Sequence, residues 1–220
     1  MGGREESKEQ QKKWDETYGN MDFFGVEPSE LGQSAIRLFH ENAVETVLEL
    51  GCGQGRDTWA FVNSGLKVIA LDYSATGICQ MIDKARTQGV ENRIELKVQD
   101  LRQGIPLPDS SVDAVFSHML LCMELQVKEI QFILDECRRV LRPSGLNVFS
   151  VRNDHDPHYG KFVPKGEDMW QNPMGLVVHF FSEEKVRKLS KGYEVVRIRE
   201  FDDTSPPFVK KLYEVVLRKP

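Results

Sequence analysis

Thr46-Val47-Leu48-Glu49-Leu50-Gly51-Cys52-Gly53-Gln54-Gly55-Arg56-Asp57 is an apolar run that breaks into three alternating glycines and then turns polar. Thr46 to Leu50 suits a short buried strand, and Arg56 to Ser64 suits a helix, so the glycines occupy a strand-to-helix turn. Glycine in such a turn permits positive φ and lets a ligand approach the backbone closely. Amides at the start of the following helix can meet an anionic group, phosphate or carboxylate. Three alternating glycines alone say little; the strand–turn–helix context gives them a mechanism.

Outward from this turn, strands and helices alternate. Lys67 to Leu71 reads as a strand and Ser74 to Gln88 as a helix with Ser74 as its N-cap. Ile94 to Gln99 and Val112 to Ser117 are strands, Leu125 to Leu141 a helix stopped by Pro143 and Gly145, and Leu146 to Val151 a fifth strand. This alternation implies βαβ units and a mostly parallel sheet. After a helix at Glu183 to Leu189, two strands remain, Tyr193 to Arg199 and Leu212 to Leu217, and the Pro206-Pro207 segment between them suits no helix. A parallel pair needs a crossover, so the last two strands are expected to be antiparallel. The expected fold is α/β: a Rossmann-like, seven-stranded, mostly parallel sheet with a C-terminal antiparallel hairpin and helices on both faces.

The N-terminal region reads as a helical cap. A charged opening leads into a helix carrying Trp14 and Tyr18, four residues apart and so on one face. A loop through Phe23-Phe24-Gly25 follows, then a helix over Ser29 to His40. The chain is expected to be one domain: cap 1–40, cofactor-binding core 41–151, substrate lid 152–181, and terminal helix and hairpin 182–220.

Composition narrows the partners. Among 220 residues, 29 are Lys or Arg and 34 Asp or Glu, a net charge of −5. An acidic surface argues against a nucleic-acid partner, whose phosphates it repels. No apolar run reaches the roughly 18 residues of a membrane span, and the polar opening does not resemble a secretory signal. Cys52, Cys79, Cys122 and Cys137 fit neither a metal pattern nor a disulfide framework. A soluble, reduced, cytoplasmic protein is expected.

Asp72 ends the second strand, 21 positions after Gly51. An acid there can accept hydrogen bonds from both ribose hydroxyls of a nucleoside. Asp100, after the third strand, is placed to accept from an adenine amino group. Two cofactors fit this much. A nicotinamide dinucleotide would want a third glycine where Arg56 stands. S-adenosylmethionine has no phosphate, and its carboxylate and ammonium could be met by the turn with Glu49 and Arg56.

LELGCGQG, ALDYS, VQDL, LPDSSVDAVFSHML and LRPSGLNVFSV, in this order from Thr46 to Val151, resemble the successive motifs of class I S-adenosylmethionine-dependent methyltransferases. Phe24-Gly25-Val26-Glu27-Pro28-Ser29 and Gly53-Gln54-Gly55-Arg56-Asp57 are similar, more narrowly, to the tellurite-resistance-type small-molecule methyltransferases. The resemblance implies that Gly51, Cys52, Gly53 and Gly55 line the methionine and ribose edge, with Asp72 on the ribose and Tyr73 on the adenine. It also implies that Asp100 and Leu101 hold the adenine edge, that Ser117 lies near the methionine ammonium, and that Trp14 and Tyr18 close over the cofactor. The implied reaction is in-line methyl transfer from S-adenosylmethionine to a small, soft or apolar acceptor. A protein or RNA methyltransferase and a non-catalytic S-adenosylmethionine-binding protein are the other readings, and a dehydrogenase is the remaining one.

The sulfonium methyl is already activated, so catalysis asks mainly for alignment and exclusion of water, and no single proton-transferring residue is expected. The acceptor should lie beyond the carboxyl ends of the strands, which Trp14–Phe24, Ser117–Met123 and Arg152–Phe181 reach. Arg152 to Phe181 is rich in aromatic residues and long enough for a lid. Asp154, His155, Asp156 and His158 are metal-ligand types crowded in one loop and are read as solvated. His118 and His179 are candidate bases or packed side chains.

Overall fold

The structure is a computed structural model that describes residues 2–21, 25–205 and 208–220, with side chains from Glu9 onward. Phe23, Phe24, Pro206 and Pro207, which the sequence reading touched, lie outside the described residues. The chain divides into two compact units, Met1–Gln103 with Val112–Phe116, and Gly104–Ser111 with Ser117–Pro220.

The first unit begins with helices α1 (Gly2–Asn20) and α2 (Glu30–Glu41). Strands β1 (Thr46–Leu50), β2 (Lys67–Asp72) and β3 (Ile94–Val98) alternate with helices α3 (Arg56–Asn63) and α4 (Ala75–Gln88). β1 pairs in parallel with β2 and with β4 (Val112–His118), and β2 pairs in parallel with β3. Ser29 and Ser74 cap α2 and α4 through their hydroxyls, to the amides of Gly32 and Gly77. Phe39, Phe61 and Phe116 are fully buried, with ring centroids 5.8 and 4.8 Å apart. Burying each such ring contributes about 1.5–3 kcal/mol.

The second unit holds α5 (Val127–Val140), β5 (Leu141–Arg152), α6 (Glu183–Leu189), β9 (Glu194–Asp203) and β10 (Lys210–Arg218). β10 runs antiparallel to both β5 and β9, as the missing crossover predicted. The strand order β3-β2-β1-β4-β5-β10-β9 makes the expected seven-stranded, Rossmann-like sheet.

Two expectations are corrected. α5 covers Val127–Val140 rather than Leu125 to Leu141; Leu141 is already extended at φ −66 and ψ 139 and opens β5. Proline disfavours helical backbone in the residue before it, so the chain leaves the helix earlier. The stretch after β5 is not one loop either. It carries a three-stranded antiparallel sheet, β6 (Val163–Gly166), β7 (Met169–Gln171) and β8 (Val177–His179). Among the described residues no helix is long and apolar enough to cross a membrane.

Candidate cofactor site

The glycine turn closes on itself. The amides of Gly51 and Cys52 both donate to the Leu71 carbonyl, at 2.8 and 3.2 Å, and the Gly55 amide donates to the Cys52 carbonyl at 2.8 Å. Gly55 caps α3 at φ +84 with no side chain to offer, so no side chain caps the first-turn amides. The Gly51, Cys52, Gly53 and Gly55 amides are thus spent within the protein.

Asp72 is the hinge of the arrangement. It is buried, and its two oxygens accept from the Gly53 and Ser74 amides, each at 2.8 Å. Burial raises its pKa, while these amides and that of Tyr73 oppose the rise. With three amides on about four acceptor positions, the carboxylate keeps one position to offer. The next strand end is tied to it, because the Gln99 amide donates to the Asp72 carbonyl at 2.8 Å. Asp100 therefore sits beside Asp72 at the neighbouring strand tip. Its carboxylate is held by Arg102 through two bonds of 2.8 Å, so an adenine amino group would share it with a guanidinium. Leu101 is buried directly after it.

α1 lies over the turn. Trp14 and Tyr18 are buried with ring centroids 5.4 Å apart. A Cβ on Gly53, at φ +54, would come within 2.9 Å of the Tyr18 hydroxyl, so glycine is required there. Burial, and then the Asp72 charge, push the Tyr18 phenol well above its usual pKa. The helix is fastened by polar side chains that sequence reasoning missed. Asp15 accepts from the Ser74 hydroxyl and, at 3.1 Å, from the Thr76 amide, so α1 helps cap α4. Gln11 donates to the Tyr73 carbonyl at 2.6 Å, and Gln80 to the Tyr18 carbonyl at 2.8 Å. These ties join residues 59 or more positions apart, beyond any local pattern.

Glu49 and Asp57 add two buried acids. Glu49 is pushed up to about 8, by burial first and then by Asp57, with the Thr58 hydroxyl bond opposing. At neutral pH it is mostly a neutral acid rather than the ready ammonium partner expected. Asp57 accepts from the Ser29 amide at 2.7 Å and the Ser29 hydroxyl at 2.9 Å. The two short segments that carried the narrower resemblance are thus joined physically. Burial drives the Cys52 thiol well above its usual pKa, which makes it inert.

In the second unit Ser117 is buried near the end of β4. His118 Nδ1 lies 2.8 Å from the Ser150 hydroxyl. His179 is no base: its Nδ1 donates to the Leu125 carbonyl at 2.7 Å and its Nε2 accepts from Lys185 at 2.6 Å. Burial and then the Lys185 charge hold it down at about 4. His155 faces Glu200, and Asp156 is taken by Arg152. Among the described residues no cluster of His, Cys, Asp and Glu could hold a metal ion.

Residues 47–145 match the family described as Methyltransferase domain. That match spans the glycine turn, both strand-tip acids and α5, on a sheet with the order set out above. Residues 47–145 are a methyltransferase domain, and the fold is that of the class I S-adenosylmethionine-dependent methyltransferases. S-adenosylmethionine is its cofactor, and the donor set fits: a buried carboxylate with an acceptor position to spare, fixed at the glycine turn. Among other methyltransferases, a tRNA N(3)-methylcytidine methyltransferase, Mettl2, of Drosophila melanogaster is 31% identical over 153 residues, covering 64% of this chain and 46% of its own length. A malonyl-[acyl-carrier protein] O-methyltransferase of Yersinia pestis is 36% identical over 124 residues, covering 56% of this chain and 42% of its own. The chain therefore spans under half the length of these curated relatives. A crystal structure of Burkholderia thailandensis 1,6-didemethyltoxoflavin-N1-methyltransferase, with 1,6-didemethyltoxoflavin and S-adenosylhomocysteine bound, shares the fold. It has a TM-score of 0.77 at 17% identity and covers all of this methyltransferase and 91% of itself.

Proposed function

We propose that this chain is a single catalytic domain that moves a methyl group from S-adenosylmethionine to a small-molecule acceptor. The observation that carries the reading is the buried Asp72 carboxylate, fixed by the Gly53 and Ser74 amides with an acceptor position to spare. In this reading Asp72 holds the ribose, and Gly51, Cys52, Gly53 and Gly55 leave room for the ligand's length. Tyr73, Asp100 and Leu101 border the adenine, and Trp14 and Tyr18 shut out water. When bound, the cofactor supplies an electrophilic methyl on a positively charged sulfur. The protein's task is then to align an acceptor and exclude solvent.

A small acceptor is supported by the net charge of −5, which repels polyanions. The Burkholderia neighbour is a small-molecule enzyme by name, whereas Mettl2 is named for tRNA, so an RNA acceptor is the second reading. Incubation with methyl-labelled S-adenosylmethionine separates them. The acceptor panel would contain planar acids, thiols, halides, metalloid oxyanions and total tRNA. Label in a low-mass product supports the proposal, and label only in tRNA refutes it. Tight binding of S-adenosylhomocysteine with no turnover on any acceptor would favour a non-catalytic binding protein.

A further inference from the structure

Strand β3 has one open edge. It is the outermost strand of the seven-stranded sheet, and among the described residues it pairs with β2 alone. The Val68 amide donates to the Arg93 carbonyl at 2.9 Å, and the Gln99 amide to the Asp72 carbonyl at 2.8 Å. Bonding residues alternate along a parallel ladder, so between these two bonds Glu95 and Lys97 spend their main-chain groups on β2. Ile94, Leu96 and Val98 therefore turn N–H and C=O outward. An edge of this kind is a template for another strand.

Side chains alternate between the two faces of the strand. Ile94 and Leu96 line an open groove of about 170 Å³ with Ile82 and Ala85 of α4, and Arg86 and Glu91 border it. Val98, on the same face of β3, is 51% exposed. The opposite face carries Glu95 and Lys97, which pair with one another and stay half-open to solvent. Charges on an edge strand ordinarily discourage pairing. Here their spacing makes the strand complementary to itself. Antiparallel pairing centred on Leu96 sets Ile94 opposite Val98, and Glu95 opposite Lys97, in both directions. Either neighbouring register that keeps the outward groups bonded would set Glu95 against Glu95 or Lys97 against Lys97. Like charges directly opposite one another destabilise a strand pair, so the charges select the Leu96-centred register.

We propose that β3 is a dimer interface, at which a second copy of this chain joins antiparallel about Leu96 and continues the sheet through a two-fold axis. Ile94, Leu96 and Val98 of each copy exchange main-chain bonds with the other, and the two α4 grooves meet across the axis. The full chain is examined by sedimentation velocity over a range of concentrations in low salt, where ion pairs are least screened. The wild type should sediment as a dimer. Lys97→Glu alone and Glu95→Lys alone should each weaken it at least about tenfold. Mixing these two variants should restore a dimer of unlike chains, because every glutamate again faces a lysine. The double exchange Glu95→Lys with Lys97→Glu in one chain should restore it as well. Leu96→Pro removes an outward amide that β2 does not use, so it should leave far-UV dichroism unchanged and give a monomer. A wild-type chain that stays monomeric overturns the proposal. So does a dimer that neither charge reversal nor Leu96→Pro weakens, and so does a mixture of the two reversals that fails to pair.

Discussion

Replacing Glu49 with glutamine should flatten the stability of this protein against pH. Glu49 is fully enclosed beneath the glycine turn, and its pKa stands at about 8 rather than the usual 4.5, mainly through burial and then through Asp57. The folded chain therefore holds this proton across a window in which the unfolded chain has released it. Stability from that retained proton is complete below pH 4.5, declines as pH rises, and is gone above about pH 8. At 1.36 kcal/mol per pH unit, the wild type should lose about 3 kcal/mol between pH 6 and pH 9 from this group alone. Glutamine keeps the shape and can still meet the Thr58 hydroxyl, yet it carries no proton to lose. Urea unfolding at 25 °C would be followed separately by near-UV and far-UV dichroism, so that a stepwise transition is detected. The stability difference between Glu49→Gln and wild type should shift towards the variant by about 3 kcal/mol over that range. A difference that stays constant from pH 6 to pH 9 would refute the buried, protonated acid.

Three further outcomes follow from the same unit. Asp57→Ala leaves the Ser29 amide and hydroxyl buried without their acceptor; it should cost about 2–4 kcal/mol in urea unfolding. Gly53→Ala forces a side chain into positive φ and against the Tyr18 hydroxyl. It should lower S-adenosylhomocysteine affinity at least about tenfold by calorimetry, and Tyr18→Phe in the same chain should recover part of the loss. Asp15→Ala removes an acceptor from the start of α4 and a tie from α1. It should cost about 0.5–2 kcal/mol and speed protease cleavage between α1 and α2.

The sheet was legible because its strands are short apolar runs with punctuation at both ends. The antiparallel close could be inferred from a segment without a helical pattern between the last two strands. The small sheet β6-β7-β8 was not legible. Its strands are three or four residues long, β6 is exposed throughout, and the turn to β7 uses positive φ at Glu167 and Asp168 rather than at paired glycines. Periodicity needs a longer window than that. At the cofactor site the glycines and Asp72 stood out through spacing. Arg102 on Asp100, Asp57 on Ser29 and Asp15 on Ser74 did not, because each side chain would serve as well on a solvated surface. Only the tertiary arrangement decides which partner it meets. His179 shows the converse: of its two readings, base or packed side chain, the second holds, because burial and then a lysine six residues on keep it neutral.

The fastening of α1 has a consequence for the catalytic cycle. Most of its grip comes from amide and carboxylate side chains at the helix margin, bonds that water can replace at small net cost, around two buried rings. A door hung this way can swing without the frame melting. Were the spent nucleoside to leave past α1, α4 would surrender a borrowed cap, and the pace of exchange would then be written into Asp15, Gln11 and Gln80 rather than into the sheet.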